Sequence, residues 1–107
     1  MHTLVLVGEL DGSSTATLEA AIESLCEMDV AGITLDLSKL TRIDATGVAV
    51  IVFRSGWCQR RGREFALVRG PAAVQAAFAQ ADALWRLPFV EHARQSEEGS
   101  RELVVYA

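Results

Sequence analysis

Asp44, Thr46 and the two cysteines, Cys26 and Cys58, are the side chains in this 107-residue sequence whose types could carry chemistry. The cysteines lie far apart in sequence and form no metal-ligand motif. They read as small core or surface thiols rather than a redox pair, and a disulfide is not expected in a chain read as cytoplasmic. His2 and His92 sit near the chain ends, so neither completes a ligand set or a catalytic triad. There is no G-x-x-x-x-G-K-[ST] phosphate loop, no Cys/His metal pattern and no nucleophile elbow. The expectation is therefore a protein that is not an enzyme and has no cofactor or metal, and nothing requires a nucleotide at the switch point of a sheet. What remains is recognition. Asp44 stands where a helix N-cap should stand, ahead of Ala45, Thr46 and Gly47, and its carboxylate can accept bonds from the free N–H groups that follow. The Thr46 hydroxyl is expected to bond within the first helical turn. Gly47 is expected to permit close packing beneath the helix start.

These residues open the stretch Leu40 to Gly62, around which the rest of the chain is arranged. A turn is expected at Thr41-Arg42, then a helix running to about Arg61 with Gly62 as its stop. From Val48 to Phe53 every residue is apolar. A helix on one face of a sheet needs only one apolar side. The excess implies that the core covers one side of the helix start and a partner protein the other. Val48, Ala49, Val50, Phe53 and Trp57 hold both core and docking members, and periodicity alone does not separate them. Trp57 is read either as an interface anchor, since buried Trp dominates binding hot spots, or as core. Arg54, Arg60, Arg61 and Arg63 form a basic cluster that the helix C-terminal dipole accounts for.

Before that stretch, Thr3 to Val7 reads as a strand continuing into Gly8-Glu9-Leu10-Asp11, where Glu9 and Asp11 are turn-forming and solvated or touch a partner. Gly12 to Thr15 is turn and cap chemistry. A helix follows to about Met28, with Leu18, Ala21, Ile22 and Leu25 on its buried face and Glu19, Glu23 and Glu27 on the wet side. Ile33 to Leu37 is the second strand. Beyond Gly62, Glu64 to Arg69 is a third. Pro71 is expected at the first position of another helix, buried through Val74, Ala77, Phe78 and Ala81. Leu84, Trp85 and Leu87 read as a packing segment, Phe89-Val90 as a short strand, Gln95 to Ser100 as a loop, and Leu103 to Tyr106 as a last strand. Strands alternating with helices imply an α/β fold, a mixed and mostly parallel sheet of about four to five strands with helices packed on it. The length suggests one domain over residues 1–107, and half the residues are hydrophobic, enough for a core. The net charge of −4 argues against nucleic acid. No apolar run spans a membrane, and the N-terminal MHTLVLVGELDG lacks the basic start of a signal peptide. No feature of the sequence sets an oligomeric state.

Three segments in order resemble a known family. Gly8-Glu9-Leu10-Asp11 is similar to the opening of the STAS domain, the fold of bacterial anti-sigma factor antagonists. Leu40-Thr41, Ile43-Asp44 and Thr46-Gly47-Val48 resemble its central segment, and Pro71-Ala72, Val74, Phe78 and Leu84 its later one. The resemblance covers about Leu4 to Leu87. It implies a domain that captures an anti-sigma factor, usually a serine kinase, with Asp44 orienting the kinase or a partner hydroxyl. In such families the kinase phosphorylates the serine after the aspartate, and the added charge of about −1.5 to −2 ends capture. Here that position is Ala45, which cannot be phosphorylated. Thr46 is the alternative acceptor, but one helical step turns its side chain by about 100 degrees. A regulatory or scaffold subunit docking on a transporter ATPase or a stress-signalling complex is the other reading. The family also carries a strand ahead of the Gly8-Glu9-Leu10-Asp11 strand, for which too few residues precede Thr3. Arg101 to Tyr106 is expected to fill that place, because the edge would otherwise stay unpaired.

Overall fold

A computed structural model describes residues 2–90 and 101–107. The expected loop at Gln95 to Ser100, and His92, lie outside the described residues. The first strand, β1 (His2–Leu10), leads to helix α1 (Thr15–Glu27) and strand β2 (Gly32–Asp36). Then come β3 (Leu40–Ile43), α2 (Ala45–Arg60), β4 (Glu64–Val68), α3 (Ala72–Gln80), a 3-10 turn at Leu84–Arg86, β5 (Phe89–Val90) and β6 (Arg101–Tyr106). The sheet has six strands in the order β3-β1-β2-β4-β5, with β6 also on β1, and every described pairing is parallel. The α/β class is thus as expected, with one strand more than the upper expectation.

The additional strand is β3, where the sequence suggested a turn at Thr41-Arg42. The turn comes earlier, because the Asp36 carboxylate accepts bonds from the Ser38 N–H at 2.9 Å and the Ser38 hydroxyl at 2.6 Å. The Leu40 N–H then closes onto the Leu37 carbonyl at 3.1 Å. With this bend finished by Leu40, residues 40–43 run on in the direction of β2 and pair with the far end of β1. Leu40 is fully buried there, and the Thr41 hydroxyl donates to the Gly8 carbonyl at 2.9 Å.

β1 pairs with three strands, β2 among them along His2 to Val5. Its first part, His2 to Val7, pairs with β6, and its last part, Gly8 to Leu10, pairs with β3. Gly8 is the changeover, with a register shift beside it and a φ of +105°, a conformation that suits a residue without a Cβ. A Cβ there would also lie 3.0 Å from the Ala107 carbonyl oxygen. The expectation that Arg101 to Tyr106 lies beside Thr3 to Val7 therefore holds.

Leu4, Leu6, Ile33 and Leu35 of the central strands are buried together with Leu18, Ile22 and Leu25 of α1, Ile51 and Cys58 of α2, and Val74 and Phe78 of α3. Thr3 to Leu6 and Gly32 to Leu35 are buried without alternation, as in a parallel sheet covered on both faces. Each large side chain so buried contributes about 1.5–3 kcal/mol. The third helix starts one residue later than expected, with Pro71 as its N-cap, and it is shorter, so Ala81 falls outside it and is exposed. Leu84 and Trp85 were expected to pack. Both are exposed, Trp85 by 72 %, because the 3-10 turn points them outward and only Leu87 enters the core.

Removing residues 101–107 should strip β1 of its partner along His2 to Val7 and expose the face that Val105 covers. The shortened chain is expected to lose about 2 kcal/mol or more of stability and to associate through the bared edge. Size-exclusion chromatography with thermal unfolding checks this. An unchanged midpoint and a single unassociated species would show that β6 is dispensable.

Candidate functional site

The start of α2 is fastened to the end of β1 through backbone. Ile43 pairs with Leu10, and the Asp44 N–H donates to the Leu10 carbonyl at 3.1 Å. The Asp44 carboxylate accepts from the Gly47 N–H at 2.8 Å, which makes it the N-cap the sequence suggested. Gly47 is buried where a Cβ would lie 2.7 Å from Ile43 Cγ1 and 2.9 Å from the Leu10 carbonyl oxygen. Only glycine lets helix and strand come this close. Asp44, Ala45 and Thr46 stay exposed at the helix start, with Ala49 and Phe53 exposed further along.

Two hollows flank this start. One, of about 230 Å³, is polar and brings Glu9, Asp11, Arg42 and Asp44 to a common rim. The other, of about 420 Å³, is mainly apolar. It is bounded by Ala45, Val48, Ala49, Val52 and Phe53 of α2 and, across from them, by Ala81, Ala83 and Arg86 after α3. Phe53 is 56 % exposed beside it. Val48 is only 2 % exposed and belongs chiefly to the core, and Val50 is half-buried against that core. Burial thus separates the core members from the accessible ones, which periodicity did not. Ala83 and Arg86 carried no signal in the sequence and Ala81 was expected in the buried stripe of α3, because their nearness to α2 arises from tertiary packing.

Asp11 is held by its own turn. The Ser13 hydroxyl and N–H donate to its carboxylate at 2.6 and 2.9 Å, and these bonds hold the carboxyl below its usual range. Glu9 is exposed on the same rim.

Trp57 faces a different region. It is half-buried between guanidinium groups, with Arg54 Cζ 4.8 Å and Arg61 Cζ 3.9 Å from its ring centroid. It lines a third hollow with Glu23 and Cys26, apart from the groove beside Phe53. The arginines do not act as one terminal cluster. Arg54, 7 % exposed, lies mid-helix and bonds Glu19 at 2.8 Å and Glu23 at 2.6 Å across the α1–α2 seam. Burial opposes its charge, while Glu19 and Glu23 hold its pKa above the ordinary value. Arg63 lies beyond the helix and donates to the Cys26 and Val30 carbonyls at 3.0 and 2.9 Å, closing the end of α1. Arg60 sits in the last turn of α2, as the dipole argument requires. Glu19 and Glu23, expected simply to face water, therefore tie the two helices together.

Among the described residues no group of three or more His, Cys, Asp or Glu is placed to hold a metal. No helix among them is long and apolar enough to cross a membrane. The family described as "Mlab, STAS domain" matches residues 2–83. No curated protein matches the chain.

Three substitutions probe how the site is built. Asp44→Ala should cost about 1 kcal/mol by removing the cap. Gly47→Ala should cost about 1–3 kcal/mol by pushing the helix off β1. Arg54→Ala should cost about 2 kcal/mol, below the range for a fully buried pair because Glu23 is half in water. Urea unfolding checks all three, and a Gly47→Ala chain as stable as the parent would refute the close approach.

Proposed function

This chain belongs to the STAS-domain family, a fold of protein-interaction modules, and we propose that it captures another protein on the start of α2 and the groove beside it. The observation that carries this reading is Phe53, exposed next to an apolar hollow of about 420 Å³. An aromatic side chain held on a rigid helix beside a concave apolar surface suits a binding hot spot. The partner assigned first is an anti-sigma factor of the serine-kinase type. Support comes from the order Asp44, Ala45, Thr46, Gly47 at an exposed helix start, with Glu9 and Asp11 on the adjoining rim. The reading is non-enzymatic: the partner meets shape and charge, and no bond is made or broken here.

Ala45 gives the capture its regulatory character. It is exposed where the family's acceptor serine would stand, and it has no oxygen to accept a phosphoryl group. Capture is then not released by modification at that position. The same observation favours a second reading, a subunit that docks durably on a transporter ATPase or a stress-signalling assembly, since a durable subunit needs no such release.

The tagged full chain and its Phe53→Asp variant, used in parallel to recover bound proteins, test the proposal. A serine kinase of the anti-sigma type, held by the parent and lost by Phe53→Asp, supports the first reading. An ATPase with the same dependence supports the second. Equal recovery of a partner by both chains would sink the groove as docking surface. Circular dichroism should show Phe53→Asp folded, whereas Val48→Asp should unfold, because it places a charge in the core. If the partner is a kinase, the parent should stay unmodified with ATP and Ala45→Ser should gain a phosphate. Ala45→Glu should bind more weakly. A phosphate mapped to Thr46 in the parent would mean that the switch has moved one residue.

A further inference from the structure

Away from the α2 start, the fold brings together two reactive side chains that lie far apart in sequence. Cys26, in the last turn of α1, and Cys58, in the last turn of α2, are free thiols of one packed cluster, with the two side chains in interaction. Both are tied to Arg63, whose backbone N–H donates to the Cys58 carbonyl at 3.1 Å and whose Nη2 donates to the Cys26 carbonyl at 3.0 Å. They are the chain's only cysteines. Cys58 is fully buried. Cys26 is half-buried and opens into the hollow of about 340 Å³ that Trp57, Arg61 and Arg63 also line. We propose that Cys26 and Cys58 form a dithiol that hydrogen peroxide oxidises to a disulfide, with Cys26 attacking first and Cys58 resolving.

Access sets the order of the two steps. A peroxide entering the hollow meets Cys26 and cannot reach Cys58. Burial, and Cys26 alongside, push the Cys58 thiol up to about 12, so it stays protonated at neutral pH and is a poor first nucleophile. Arg63 holds the rim of this site. Its Nη2 donates to the Cys26 carbonyl at 3.0 Å, and its buried Nε–H has no hydrogen-bond partner among the described residues.

In the first step the Cys26 thiolate attacks one peroxide oxygen. The S–O bond forms, the O–O bond breaks, and the second oxygen leaves and takes up a proton as water. In the second step Cys58 Sγ attacks Cys26 Sγ of the sulfenic acid. The S–S bond forms, the S–O bond breaks, and the departing hydroxide takes the Cys58 proton and leaves as water. Two thiols give up two electrons and two hydrogens, and the peroxide is reduced to two waters. A dithiol reductant restores the pair by exchange. The bond would join the ends of α1 and α2 next to the Arg54 ion pairs and restrict the unfolded chain.

The test treats the reduced full chain with hydrogen peroxide, then denatures and alkylates it for intact-mass and peptide analysis. The expected result is no alkyl groups, the mass lower by two hydrogens, a peptide linking 26 to 58, and a thermal midpoint raised until reductant is added. Cys58→Ala should stop at a sulfenic acid on Cys26 that dimedone traps. Cys26→Ser should leave Cys58 reduced while folded. Alkylation of both cysteines after peroxide would overturn the proposal, as would a bond between two chains or over-oxidation of Cys26 with Cys58 still free. Equally fast bond formation in the urea-unfolded parent would show that the folded contact plays no part.

Discussion

The exposed start of α2 depends on how closely its backbone lies against the end of β1. Gly47 makes that approach possible, since any Cβ would strike Ile43 and the Leu10 carbonyl. The Asp44 cap and its N–H bond to Leu10 fix the helix axis from the same place. Because these restraints are backbone and cap bonds, side chains at Ala45, Thr46, Ala49 and Phe53 are left free for contact. A surface held this rigidly loses little freedom when a partner docks, and that limits the entropic cost of binding. The same restraint sets the polar rim, because Glu9 itself pairs with Arg42 of β3 and Asp11 follows directly on Leu10.

The sheet arrangement works backwards from that point. β1 must reach past its pairing with β6 to meet β3, and Gly8 provides the bend. The middle of α2 is held by charge and stacking rather than by close backbone approach. Arg54 reaches Glu19 and Glu23 on α1, and its guanidinium also lies over the Phe53 and Trp57 rings. One buried arginine therefore links the helix seam to the aromatic residue beside the groove. Its desolvation is offset only because both carboxylates are in place, which makes the seam sensitive to loss of a single partner.

Much of this was legible in the sequence, for local reasons. The cap at Asp44, the glycine beneath the helix start and the amphipathic spacing of Leu18, Ile22 and Leu25 are all short-range signals. The placement of β6 followed from edge pairing. The turn assigned to Thr41-Arg42 failed because the bend falls earlier, at Asp36 and Ser38, and β3, running in the direction of β2, then has β1 to join. Trp85 was misread because apolar composition does not tell which way a 3-10 turn points. The far wall of the groove, the Arg54 clasp and the Cys26–Cys58 contact join residues far apart in sequence, and no periodicity encodes them.

The central claim, that the α2 start and not another apolar patch receives the partner, is most directly tested by photo-crosslinking in cells. A photoreactive phenylalanine analogue is placed singly at Ala49, Phe53, Met28 and Val104, all exposed. Adducts to one same protein are expected from positions 49 and 53 and none from 28 or 104. Adducts from 104 or 28 with none from 49 and 53 would contradict the claim and move the interface to the sheet edge or to the end of α1.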